Sequence, residues 1–226
     1  MANKEVKIIV TGDGSHSLYL PHLNETYHSS HGALTESQHV FIKAGLDHFV
    51  NEQAPDSLRI LEVGFGTGLN ALLAWQYARE NDLKIQFTSL EPFPLSASLY
   101  KQLNYPELFE QGMQPQFLAL HEAQWNIPVP LDEFFVLEKQ QQKLEAYTAY
   151  NSFDLVFYDA FAPSKQAELW EYAMMEKTVG YMASQAVLVT YCAKGQLKRD
   201  LKALGLQVET LPGPPGKKEM VRAATF

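Results

Sequence analysis

Residues 58–75, LRILEVGFGTGLNALLAW, decide how the rest of the chain is read. Leu58, Ile60, Leu61 and Val63 form an apolar run of strand length. Three glycines follow at alternate positions, and from Leu69 the apolar spacing turns helical. The expectation is strand, tight turn, helix. Gly64, Gly66 and Gly68 reach backbone conformations closed to other residues and let a ligand approach the main chain. Glu62, just before the turn, is costly to bury unless ligand amines or backbone N–H groups meet it.

A glycine-rich turn of this kind serves nicotinamide, flavin, nucleotide and S-adenosylmethionine proteins alike, so the spacing has to discriminate. The dinucleotide fingerprint is G-x-G-x-x-G, with a helix N-terminus aimed at a pyrophosphate. Here the pattern is E-x-G-x-G-x-G, which resembles the first motif of class I S-adenosylmethionine-dependent methyltransferases. Glu91 follows a predicted strand over 83–90, 23 residues after Gly68. A carboxylate there is placed to accept both hydroxyls of an unphosphorylated ribose, the alternative being a cap for the helix after Pro94.

The chain has 226 residues, 46% of them hydrophobic, enough for one α/β domain with an N-terminal addition. No apolar run approaches the roughly 18 residues of a membrane span. The start MANKEVKII lacks a signal-peptide layout, so a soluble, cytoplasmic protein is expected. The single cysteine, Cys192, lies in the apolar run VLVTYCA and reads as a buried small hydrophobe. The net charge is −8, but it is unevenly spread. Residues 194–222 hold seven basic and three acidic side chains, leaving +4 there and −12 elsewhere. That asymmetry fits either one basic face for a phosphate backbone or an ordinary solvated helix face.

In chain order, 6–10 and 17–20 read as a β-hairpin around TGDGSH. The polar stretch PHLNETYHSSHGALTE reads as a loop over the pocket, with Tyr27, His28 and Glu36 as its polar contacts. Six of the seven histidines fall between 16 and 48, but no cysteine accompanies them and no H-E-x-x-H occurs, so no metal is expected. Thr35 and Gln38 have capping-box spacing for a helix to about residue 51, with Val40, Phe41, Ala44 and Phe49 inward. Residues 96–124 look irregularly helical and WNIPVPL looks like a loop. A strand is expected over 134–137, and a short helix in KQQQKLEAY.

FDLVFYDAFAPSKQAELW, 153–170, is the second chemical stretch. Its buried-strand pattern stops at Asp159, at a strand's carboxyl end, where open α/β sheets bind ligands. Asp159 is therefore a candidate base or amine binder. Phe161, on the loop after it, either stacks on a base or packs in the core. A helix is predicted over 167–182, a strand over 186–191 and an amphipathic helix over 195–204 with its basic residues outward. Residues 207–211 and 219–226 would form an antiparallel pair. The alternation predicts a mainly parallel sheet with an antiparallel C-terminal edge, plus an N-terminal β-hairpin and helix extension. In domain terms this is 1–55 as extension and pocket-covering loop, and 56–226 as the catalytic unit.

Taken together, DGSHSLY, YHSSHGALTESQHVFI, EVGFGTGLNALL, FTSLEPFPLS, the D-x-F-A-P-x-K-x-x-x-x-W pattern from Asp159 to Trp170, TYCAKGQLKRDL and GPPGKKEM resemble the MnmC-like methyltransferase family. Members of that family complete 5-methylaminomethyl-2-thiouridine at the tRNA wobble position. The resemblance implies a Rossmann-like class I fold and S-adenosyl-L-methionine as cofactor. It implies cofactor binding by Tyr27, Glu36, Glu62, Gly64, Phe65, Gly66, Gly68, Asn70 and Glu91, with Asp159 at the transfer centre. Phe161, Pro163, Lys198, Arg199, Lys202, Lys217, Lys218 and Arg222 become the candidates for substrate and tRNA contact. For the adenine, Glu138 and Gln140 are both open. No flavin oxidase sequence follows, so the stand-alone form is expected, acting on the aminomethyl nucleoside of the tRNA anticodon loop without a membrane or metal; a separate oxidase partner is left open. The competing readings are a small-amine transferase such as a polyamine enzyme, an idle cofactor-binding subunit, and a nicotinamide oxidoreductase.

Overall fold

The computed structural model describes residues 6–109 and 112–226. The first five residues of the expected 1–55 extension, and residues 110 and 111 of the irregular stretch 96–124, lie outside them. Strands β1 (Lys7–Val10), β2 (His16–Leu20) and β3 (Glu25–Thr26) form a small antiparallel sheet. The main sheet contains β4 (Ser57–Val63), β5 (Lys84–Leu90), β6 (Pro128–Pro130), β7 (Phe135–Gln140), β8 (Phe153–Tyr158), β9 (Met182–Thr190), β10 (Gln207–Pro212) and β11 (Glu219–Ala224). Its order is β10-β11-β9-β8-β4-β5-β7-β6. The pairs from β9 through β8, β4 and β5 to β7 are parallel, while β6, β10 and β11 run antiparallel to their neighbours.

This is the expected α/β fold with an antiparallel C-terminal edge. From β4 the chain moves outward through β5 and β7, then returns to β8 on the other side. The resulting switch point opens a crevice at the strands' carboxyl ends. One face of the sheet packs against helices over 33–53, Leu69–Glu80 and Gln114–Glu122, where Phe41 meets Phe157 with ring centroids 5.2 Å apart. The other face carries Met175, Leu197 and Leu201 from the helices Tyr172–Val179 and Gly195–Ala203.

Several local expectations are corrected. The Thr35–Gln38 capping box is not made, because the helix starts three residues earlier, with Gly32 as its N-cap, and its first N–H groups are met from the β1–β2 turn. Ala33 N–H donates to Thr11 Oγ1 and Ser15 Oγ, and Thr35 N–H donates to Asp13 Oδ2 at 2.8 Å. The helix then winds as π over Gln38–Asp47 before returning to α over His48–Gln53. WNIPVPL contains the edge strand β6, where prolines are tolerated because one side makes no ladder. KQQQKLEAY forms no helix: β7 continues to Gln140, held by its pairing with Leu90 of β5. The helix predicted over 167–182 is broken at Glu171 (ψ 152°) into a 3-10 turn Ala167–Trp170 and the helix Tyr172–Val179. Trp170 is drawn inward there, its indole N–H donating to the Phe161 carbonyl at 2.7 Å.

Candidate active site

Register brings the chemistry to one edge. Val63 is paired with Leu90 on one side and Tyr158 on the other, so Gly64, Glu91 and Asp159 leave the sheet side by side. Gly64 has φ +100°, and a Cβ placed on it would stand 2.7 Å from the Asp159 carbonyl oxygen. No side chain fits there. Above this edge lies a cleft lined by Tyr27, Gly64, Phe65, Gly66, Asn70, Glu91, Asp159 and Phe161, closed on one side by residues 142–145.

The cleft is acidic and each carboxylate is held differently. Asp159 Oδ2 accepts from the Asn70 side-chain N–H at 2.9 Å. Burial, and then the Glu36 charge, push the Asp159 carboxyl up to about 7, against the Asn70 hydrogen bond and the Lys217 charge. Glu62 is wholly buried and accepts from Ser89 Oγ at 2.5 Å; burial pushes it up to about 8. Glu91 accepts from Gly66 N–H at 3.0 Å and Phe93 N–H at 2.8 Å, and burial raises it against those two bonds. Tyr27 sits edge-on to Phe161, with centroids 5.1 Å apart.

Beneath the glycine turn, Thr67 is held from two sides. His28 Nε2 lies 2.8 Å from its hydroxyl, and His121 Nε2 lies 3.1 Å from its carbonyl oxygen. Burial lowers these imidazoles to about 4 and about 3, so both are neutral near pH 7. Lys139 is also fully buried, donating to the His121 carbonyl at 2.7 Å with its ammonium 4.5 Å from the centre of the Trp125 ring. Burial brings it down to about 8. Thr67, His121 and Lys139 escaped the reading of the sequence, since nothing local marks a lysine among glutamines as a core residue.

The remaining expected residues divide. Glu62, Gly68, Glu36 and Pro163 do not line the cleft. Neither Glu138 nor Gln140 lines the cleft: both line a separate polar groove, while residues 142–145 line the cleft. Lys198 pairs with Glu219 at 2.8 Å, Arg199 bonds Gln196, and Lys202 and Lys218 are exposed. Arg222 is mostly covered, paired with Glu209 at 2.6 Å and bonded to the Ala44 carbonyl. Lys217 is turned inward to Glu36. Lys217 and Arg222 are thus held by internal partners, while Lys202 and Lys218 stay in solvent. Among the described residues no His, Cys, Asp and Glu group could hold a metal, and no helix is long and apolar enough to cross a membrane.

Comparison with known proteins adds the following. A family described as S-adenosyl-L-methionine-dependent methyltransferase matches residues 109–225. The bifunctional tRNA 5-methylaminomethyl-2-thiouridine biosynthesis protein MnmC of Methylobacillus flagellatus is 30% identical over 221 residues, covering 90% of this chain and 33% of its own length. Its counterpart in Pseudomonas paraeruginosa is 31% identical over 207 residues, covering 87% and 32%. The chain therefore spans about a third of the length of these relatives. Among solved structures, MnmC2 from Aquifex aeolicus superposes with a TM-score of 0.81 at 24% identity, over 100% of this chain and 71% of that one. Spermidine synthase from Thermotoga maritima gives 0.60 at 12% identity, over 98% and 69%. At these identities the two structures speak for the fold alone.

Proposed function

This chain belongs to the S-adenosyl-L-methionine-dependent methyltransferase family, and from that premise we propose that it methylates the primary amine of 5-aminomethyl-2-thiouridine at the tRNA wobble position. The site suits the cofactor. Asn70 Oδ1 is a buried acceptor without a protein donor on a residue that lines the cleft, available to an amine, and Gly64 and Gly66 bring the main chain to the same cleft. In this reading Gly64, Gly66, Asn70 and Glu91 hold the cofactor, with Gly68 and Glu62 supporting them and Phe65 and Tyr27 shaping the wall. Glu91 takes the ribose and residues 142–145 flank the adenine. When bound, the cofactor supplies a methyl group already activated on a sulfonium.

The protein's part is alignment and proton control. An alkylamine has a pKa on the order of 10 and arrives protonated at neutral pH. Asp159, ionised, orients the amine once its surplus proton has passed to solvent, and stabilises the positive charge that develops as the nitrogen is alkylated. The observation that carries this reading is the position of Asp159: a half-buried carboxylate with its ionisation poised near neutrality, beside the glycine turn, in the wall of a cleft. Phe161 and Pro163 shape the entry for a base turned out of the anticodon loop, which is easier than from a duplex. Lys198, Arg199, Lys202 and Lys218 supply backbone contacts. Residues 1–55 act as the cover and 56–226 as the catalytic unit, working on cytoplasmic tRNA.

A small polyamine is the second reading, favoured by Glu91, Glu145, Asp159 and Glu168 lining one cleft. One experiment separates them: incubation with methyl-labelled S-adenosylmethionine and either tRNA carrying 5-aminomethyl-2-thiouridine or free polyamines, followed by mass spectrometry. One labelled methyl on that nucleoside supports the tRNA reading; label on the polyamine alone overturns it.

A further inference from the structure

The C-terminal loop GPPGKKEM folds back over the N-terminal segment. His39 Nε2 lies 2.9 Å from the Pro212 carbonyl oxygen, and a Cβ on Gly216 would overlap the His31 ring. This close fit turns Lys217 inward while Lys218, its neighbour, stays in solvent. The Lys217 ammonium is paired with Glu36 Oε1 and stands 3.9 Å from the centre of the Tyr191 ring. Glu36 is itself buried, its second oxygen accepting from Ser29 N–H at 2.7 Å. The Tyr191 hydroxyl donates to the carbonyl of Ala160, the residue after Asp159, at 2.7 Å. A cation is thus clamped between a buried carboxylate and an aromatic ring whose hydroxyl holds the carbonyl next to Asp159.

We propose that Lys217 is a positioning residue of the acceptor site, its ammonium fixed by Glu36 and Tyr191 so as to keep Asp159 ionised, and that it is not a phosphate contact. This rests on the role given to Asp159 above. Around Asp159 stand Glu62 on β4, Glu91 after β5 and Glu36 on the helix over 33–53, all carboxyl groups. Asn70, Tyr27 and Tyr191 are uncharged there, and His28 is neutral. Lys217 is the cation whose charge opposes these carboxylates at Asp159. Its removal takes away a positive charge and leaves Glu36 without a partner, and both changes drive a proton onto Asp159. The same ammonium disfavours the protonated form of an incoming amine, so it promotes the free base that attack requires.

The test is the pH dependence of methyl transfer to the tRNA substrate between pH 6 and 9, for wild type, Lys217→Met, Lys217→Arg and Lys218→Met, with the Asp159 carboxyl titrated by carbon-13 NMR in the substrate-free protein. For Lys217→Met the acid limb and the Asp159 midpoint should both rise by about one pH unit, a roughly fivefold loss at pH 7 that all but vanishes by pH 9. Lys217→Arg should restore most of it, and Lys218→Met, which removes a proposed phosphate contact, should weaken tRNA binding without moving the pH profile. Glu36→Gln, which removes the anion, should move the Asp159 midpoint down, and it serves if the methionine variant fails to fold. An unmoved Asp159 midpoint overturns the proposal, as does a loss equal at every pH, or a flattened salt dependence with an unchanged pH profile. Because the NMR titration needs no acceptor, it decides the role of Lys217 even if the tRNA reading fails.

Discussion

Asn70 donates its side-chain N–H to Asp159 Oδ2 at 2.9 Å, tying the first turn of the helix after the glycine loop to the end of β8. The bond favours the charged form of a carboxyl group that burial pushes the other way. It also joins the part of the site assigned to the cofactor to the part assigned to the acceptor.

Asp159→Ala should lower kcat for methyl transfer by at least about tenfold, roughly 1.4 kcal/mol of transition-state stabilisation. Cofactor affinity, measured by isothermal titration calorimetry, should stay within about twofold of wild type. Asn70→Leu should raise the acid limb of the pH profile, because Asp159 loses the bond that stabilises its ionised form. Equal activity in wild type and Asp159→Ala would remove this carboxylate from the mechanism.

Stability of the ligand-free protein should fall as pH rises from about 6.5 to about 8. Folding raises Asp159 from 3.8 to about 7 and Glu62 from 4.5 to about 8. Their contribution is complete below the unfolded values and is lost as pH rises through the folded ones, on the order of 1 kcal/mol per pH unit for each proton. His28 and His121, lowered from 6.5 to about 4 and about 3, act in the opposite sense and cost stability only below about 6.5. Thermal melts across this window check the slope, and Glu62→Gln should flatten it.

Gly64→Ala and Gly205→Ala both place a side chain at positive φ, +100° and +89°. Each should lose on the order of 1 kcal/mol or more in chemical denaturation. Only Gly64→Ala also meets the Asp159 carbonyl, since a Cβ on Gly205 finds open space. Transfer activity should therefore drop with Gly64→Ala and persist with Gly205→Ala at temperatures where both are folded.

The basic residues should separate by role. Lys202→Glu and Lys218→Glu are expected to weaken tRNA binding and flatten its dependence on salt, as the loss of phosphate contacts requires. Arg222→Ala should leave the salt slope in place and cost about 1 kcal/mol of stability, because its guanidinium is spent on Glu209 and the Ala44 carbonyl. Filter binding at several salt concentrations, with melts of the same variants, distinguishes the two outcomes.

Some of this was legible residue by residue. The apolar run before Gly64, the glycines at alternate positions and the strand ending at Asp159 are local patterns, and local backbone preference and burial period read them directly. The capping of the helix over 33–53 was not legible, because its donors are met by Thr11, Asp13 and Ser15 from another strand pair. Nor was the fate of KQQQKLEAY, where pairing with β5 outweighs a helical propensity worth only tenths of a kcal/mol per residue.

The sequence by itself determined the strand-glycine-helix element, the acidic residues at two strand ends and the alternation that makes a parallel sheet, since each depends on neighbours a few positions apart. Only the tertiary structure decided that Gly64, Glu91 and Asp159 emerge in register, that Lys139 is buried, and that Lys217 turns inward to a carboxylate 181 residues away. Such contacts follow from how sheets and loops close in space. A charge 181 residues distant in sequence leaves no local signature until the fold brings it against a buried carboxylate.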